Sequence, residues 1–215
     1  MKITILTDNK NSWIIPYVND LKKLLTNNHL IDHIFNADEI KKGDIMLILA
    51  CNKILSKNDL SYHKSNVVIH PSKLPKGRGW SPLAWQILSG LNKIPITLFE
   101  ASCEVDAGDI YLVDEINLSG YELNDQIKKL QGQKTIEMAL KFVNNFDKRK
   151  PFPQKGERTS FRRRTHLDSE LDINFSLEKQ FNLLRVVDNE RYPAFFIKGD
   201  QKYILKIYKH DEDSV

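Results

Sequence analysis

The stretch Val67-Val68-Ile69-His70-Pro71-Ser72-Lys73-Leu74-Pro75-Lys76-Gly77-Arg78-Gly79 decides the architecture. A short β-branched run enters a loop set by prolines and glycines, and a histidine stands where the strand ends. In open parallel sheets the carboxyl ends of strands are where ligands bind. Pro71 and Pro75 restrict the loop path, and Gly77 and Gly79 let backbone come close to a ligand. Histidine titrates nearest neutrality, so it suits acid/base chemistry. From position alone, a histidine that merely caps a strand end carries equal weight.

Working outward, short apolar runs alternate with helical stretches over the first 120 residues, which predicts a mainly parallel sheet flanked by helices. Ile3–Leu6, Leu30–Phe35, Asp44–Ala50, Val67–Ile69, Ile94–Phe99 and Ile110–Ile116 read as strands. Trp13–Leu25 reads as a helix capped by Ser12, and Ser81–Ser89 as one capped by Ser81 with Pro82 in its first turn. Glu122–Asn145 is a long amphipathic helix, with Ile136, Ala139, Leu140 and Val143 on one face. Lys148–Arg164 is basic, holds Pro151 and Pro153, lacks periodicity, and reads as a surface linker. Beyond it, Leu177, Phe181 and Leu184 recur at helical spacing. Phe195–Ile197 and Lys202–Tyr208 flank Gly199-Asp200 as a β-hairpin. The expected organisation is an α/β domain over 1–147 and a linker with a small helix and hairpin extension over 148–215.

The 215 residues are 41% hydrophobic and 28% charged, ordinary for a globular protein. The net charge of +4 suits an anionic small ligand and is weak for nucleic acid. Two cysteines, Cys51 and Cys103, make neither a disulfide framework nor a paired metal-ligand spacing, so no metal is expected. The opening Met1–Leu6 run reads as a strand rather than a leader. Nothing approaches the roughly 18 to 20 apolar residues of a membrane helix, and a cytoplasmic location is the default expectation.

A second loop, Val105-Asp106-Ala107-Gly108-Asp109, follows the strand that ends near Phe99-Glu100. Alone it reads as an ordinary turn. If the two loops cap neighbouring strands, Asp106 can orient His70 across the cleft and stabilise its charged form.

Read together, His70-Pro71-Ser72-Lys73-Leu74-Pro75, Gly77-Arg78-Gly79 and Ser81-Pro82 resemble the H-x-S-x-L-P-x-x-R-G-x-x-P stretch of the formyltetrahydrofolate-dependent formyltransferases. Val105–Ile110 is similar to that family's D-[TA]-G-D-I loop. Arg163-Arg164-Thr165, Asp168-Ser169 and Leu171-Asp172 resemble a segment of bacterial enzymes that formylate nucleotide-linked amino sugars. The resemblance implies a Rossmann-like formyltransferase fold. It also implies transfer of the formyl group of N10-formyltetrahydrofolate to the primary amine of a nucleotide-linked amino-deoxy sugar, in surface glycan biosynthesis.

On the resemblance, His70 is the general acid/base and Asp106 its orienting carboxylate. The folate is expected against Phe99, Glu100, Val105 and Asp109, and the acceptor against Ser72, Lys76, Arg78, Trp80, Asn189, Arg191 and Tyr192. Trp80 and Trp85 could stack on a base or pterin, against a core role. One arginine of Arg162-Arg163-Arg164 is expected to pair with Asp168. The family's asparagine stands two residues before the histidine, where this chain has Val68. Asn66 shares that face but lies roughly 13 Å away at about 3.3 Å per residue. Asn52 is the candidate substitute donor. The part before His70 is also short, as if a strand–helix unit were lost. The nearest rival is a methionyl-tRNA formyltransferase, expected to carry a larger basic C-terminal domain; another is a binding module that has lost catalysis. No nucleic-acid partner and no membrane insertion are expected, and the hairpin, with Ile204 and Tyr208 outward, could pair two subunits or cover its own core.

Overall fold

The computed structural model describes residues 1–210. Its elements are β1 (Lys2–Leu6), α1 (Ile15–Thr26), β2 (Leu30–Ile34), β3 (Gly43–Ile48), α2 (Lys57–Leu60), β4 (His63–His70), β5 (Arg78–Gly79), α3 (Pro82–Leu88), β6 (Lys93–Glu100), β7 (Ile110–Asn117), α4 (Asn124–Asn144), β8 (Ser160–Phe161), α5 (Phe181–Val186), β9 (Ala194–Lys198) and β10 (Gln201–Leu205). Six strands form the central sheet in the order β2-β1-β3-β4-β6-β7. The first four pair in parallel, while β6 and β7 run antiparallel. The mainly parallel α/β architecture read from the sequence is therefore the observed one, with an antiparallel edge.

The two loops do leave the carboxyl ends of neighbouring strands, β4 and β6, but these strands run in opposite directions. His70 pairs with Thr97, whereas Glu100 pairs with Val67. Strand β6 thus ends part-way back along β4, and residues 101–109 must return toward His70. The connection from β4 to β6, residues 71–92, is long enough for either direction, so the pattern alone could not set it.

The two faces of the sheet are unequal. Ile3, Ile5, Ile45, Leu47 and Val67 pack under α1 and α4 through Val18, Leu21, Ile136 and Phe142. Gly132 of α4 lies so close to the Tyr17 ring of α1 that a Cβ would come within 2.6 Å of it. The opposite face, with Met46 and Ile48, is covered only by short pieces around Leu55 and Leu60. Side chains alternate along a strand. Val67 therefore faces the helices, while Val68 and His70 face the lightly covered side.

Two expected caps differ. Helix α1 starts at Ile15 and is preceded by Ile14, with no side-chain cap; Ser12 contributes only its carbonyl, which accepts from the Ile15 amide. Ser81 precedes α3 in the left-handed region at φ 51°, and its hydroxyl makes no capping bond. Helix α5 begins at Phe181, leaving Leu177 exposed in the turn before it. The hairpin forms as read, by antiparallel pairing of β9 with β10.

The extension has its own small core of Leu171, Leu184, Val187 and Ala194. Arg185 of α5 is 1% exposed and donates to Asn92, Asn182 and Glu122. Burial pushes the Glu122 carboxyl up, but donation from Ser119 and Gly120 outweighs it and holds the pKa at about 2, below the ordinary 4.5. A carboxylate depressed in the folded state stabilises fully above its unfolded pKa. This contribution is expected to be complete above pH 4.5 and to fade as pH falls toward about 2. Acid titration of the unfolding temperature should show Glu122→Gln losing less stability over that window than the parent; equal losses would remove Glu122 as a source.

Candidate active site

A cavity of about 600 Å³ opens beside His70, walled by loops that follow β1, β3 and β4 and by the residues around Asp106. His70 is 7% exposed, and its Nε2 lies 2.9 Å from the Gly77 carbonyl oxygen. A carbonyl only accepts, so the partner assigns the hydrogen to Nε2. Nδ1 then lies 3.6 Å from Asp106 Oδ2. Asp106 Oδ2 also accepts from the Gly79 amide at 2.8 Å. The histidine and the aspartate are thus brought together as the sequence suggested.

Asp106 sits at φ 50°, and close packing maintains the loop that carries it. A Cβ on Gly108 would fall 1.7 Å from the Glu100 carbonyl oxygen, so only glycine fits. The segment read as a surface linker contributes directly. Phe152 pairs with Ile110, and Gln154 donates to the Asp106 and Gly108 carbonyls. Thr159 accepts from the Gly77 amide, and β8 pairs with β5. Such contacts span 42 to 82 residues of chain and leave no local signal.

Val68 lines the cavity, so the apolar side chain does stand in the wall beside His70. Asn66 turns its amide to the Leu60 carbonyl instead. Asn52 lines the cavity, with its amide directed to Asp8 at 3.4 Å. Phe99, Val105, Trp80, Arg191 and Tyr192 also line it. Glu100 lies off the wall, accepting from Ser65, Asn66 and Tyr111, and Asp109 gives its carbonyl to the Glu100 amide. Ser72 is buried beneath the loop, where its carbonyl accepts from Thr97. Lys76 is exposed away from the cavity. Arg78 is buried and spent on Glu104 and Gln154, and Asn189 clasps Ile207.

Trp80 carries the Arg163 guanidinium 5.1 Å above its ring, while Trp85 donates to the Arg162 carbonyl outside the cavity wall. Arg162 pairs with Asp168, whose carboxyl this hydrogen bond holds well below the usual range. The expected arginine–Asp168 pair is therefore present. Cys51 lines the cavity, but burial pushes its thiol up to about 11. It stays protonated at neutral pH and so offers no thiolate nucleophile on this wall.

Residues 10–139 match the family described as Formyl transferase. The chain belongs to the formyl transferase family. The methionyl-tRNA formyltransferase of Thermotoga neapolitana is 28% identical over 162 residues, covering 74% of this chain and 52% of that protein. The chain thus spans about half the length of such curated relatives. The solved methionyl-tRNA formyltransferase from Clostridium thermocellum is 26% identical with a TM-score of 0.83, covering all of this chain and 95% of that one. Two further structures share the fold. A sugar N-formyltransferase from Shewanella has a TM-score of 0.74 at 15% identity, covering 98% of both chains. HypX from Aquifex aeolicus, in complex with tetrahydrofolic acid, has 0.80 at 21%, covering 99% of this chain and 38% of its own. The formyl transferase family match includes His70 and Asp106 and stops before the segment that straps their loops. No described helix is long and apolar enough to cross a membrane.

Proposed function

We propose that this member of the formyl transferase family moves the formyl group of N10-formyltetrahydrofolate to a primary amine. The observation that carries the reading is the His70–Asp106 pair on the cavity wall. Amine attack on the formyl carbon builds positive charge on nitrogen and negative charge on oxygen. His70, with its hydrogen held on Nε2 by Gly77, offers the Nδ1 lone pair to the amine proton. Asp106 then stabilises the charged ring, and the same proton is available to the leaving folate nitrogen. Asn52 is the proposed donor to the developing oxyanion, in place of the side chain that Val68 lacks. The folate that the HypX structure holds supports the choice of formyl carrier.

The acceptor we put first is a nucleotide-linked amino sugar. Of the carboxylates on the cavity wall, Glu104 is paired with Arg78 and Arg158 and Asp188 with Lys128, while Asp8 and Asp106 accept from neutral backbone amides. Lys53, Arg163 and Arg191 line the same cavity and form no ion pair among the described residues. Cations without an ion-pair partner on the wall of this cavity favour a phosphate-bearing acceptor. The second reading, formylation of methionyl-tRNA, is favoured by the relatives themselves.

The deciding experiment incubates purified protein and N10-formyltetrahydrofolate with a panel of nucleotide-linked amino sugars and, separately, with methionyl-tRNA. Formylation of a sugar amine is the expected result. Transfer to methionyl-tRNA alone would replace the first reading with the second, and turnover of neither acceptor, with ligand still bound, would point to a binding module.

A further inference from the structure

We propose that Gln154 is a positioning residue that holds Asp106 against His70. The inference rests on the reading of those two side chains as the formyl-transfer pair. Asp106 stands in the left-handed region, on a loop that leaves β6 beside Asn66 and must travel back to His70. The Gly79 amide fixes its carboxylate, but the backbone around it needs a partner of its own. Gln154 supplies it. Its single amide nitrogen donates to the Asp106 carbonyl at 2.9 Å and to the Gly108 carbonyl at 2.8 Å. Its amide oxygen accepts from Arg78 at 2.7 Å, and the other nitrogen of that guanidinium reaches Glu104 at 2.9 Å.

The geometry joins both functional loops through one side chain. Arg78 lies between Gly77, whose carbonyl fixes the His70 hydrogen, and Gly79, whose amide fixes the Asp106 carboxylate. Gln154 alone among residues 151–160 is not exposed, in a segment otherwise open to solvent. Phe152 and Thr159 tie the strap on either side of it, to Ile110 and to Gly77. A glutamine can donate and accept at once, and that double role is what the position demands.

The test uses Gln154→Met, which keeps the length and loses every hydrogen bond, and Gln154→Glu, which keeps an acceptor for Arg78 and loses both donated bonds. Imidazole nitrogen NMR reads His70 directly without requiring turnover. Both variants are expected to move the His70 ring resonances in the direction that Asp106→Asn moves them, leaving the other five of the six histidines unchanged. In turnover, Gln154→Met is expected to lower kcat about tenfold to a hundredfold, with KM for both substrates little changed. In an Asp106→Asn background the same substitution should cost little more, because its route to the chemistry is already cut. An unmoved His70 spectrum, losses that add in full, or a normal rate in Gln154→Glu would each overturn the proposal. Failure of the parent protein to formylate any amine would instead overturn the reading of the pair, with the spectra still testing the positioning.

Discussion

His70→Ala is expected to lower kcat by about a hundred- to ten-thousandfold, the usual contribution of a positioned acid/base group. The folded state should survive. His70 is buried, but its neighbour on the functional face is Val68, and its one close hydrogen bond is to the Gly77 carbonyl. That carbonyl loses a partner where the vacated ring leaves space joined to the cavity that His70 lines, so water can replace it. Circular dichroism and the unfolding temperature should therefore stay close to the parent while single-turnover transfer collapses. Folate binding, measured separately, should be nearly unchanged, because the histidine acts on the proton rather than on the co-substrate. A variant turning over within tenfold of the parent would remove His70 from the mechanism, and the assignment of Asp106 would fall with it.

Gly108→Ala is expected to damage activity and stability together. The added methyl would lie 1.7 Å from the Glu100 carbonyl oxygen and 2.7 Å from its carbon. Both are backbone atoms of a central strand, with no rotamer to turn away. The loop must retreat by more than about 1 Å, since packed interiors leave no slack of that size. The Glu100–Asp109 backbone bond at 2.8 Å and the Gln154–Gly108 bond then stretch or break. Overpacking of this kind costs about 1–3 kcal/mol. Displacing Asp106 by that distance should also lower kcat by about a hundredfold. Thermal unfolding and steady-state rates measured on one preparation check both parts. Parent-like values in both would mean that the loop tolerates a side chain and that its tight approach to β6 has no bearing on catalysis.

The comparison of Asp106 with Gln154 explains how far the sequence reaches. Asp106 was legible because Val105–Asp109 is a short contiguous stretch that resembles the family's loop, although taken alone it reads as an ordinary turn. Gln154 was not, since its partners are 46 and 48 residues away and its surroundings are basic and proline-containing. Arg78 shows the opposite error. Its place in a loop beside His70 suggested a substrate contact, yet the fold turns it inward onto Glu104 and Gln154. Arg191, a similar surface arginine by sequence, does line the cavity. Chemical type was the same in both cases, and the tertiary path of the chain decided between them.

By itself, the sequence determined the alternation of strands and helices, the apolar face of the long helix α4, and His70 at a strand end. Each of these follows from periodicity or steric preference acting over a few residues. Only the tertiary structure decided that β6 runs against β4, that Asp106 returns to within 3.6 Å of His70, and that the apparent linker straps both loops. These depend on contacts between residues far apart in the chain, formed because one face of the sheet is buried under helices and the other is left open.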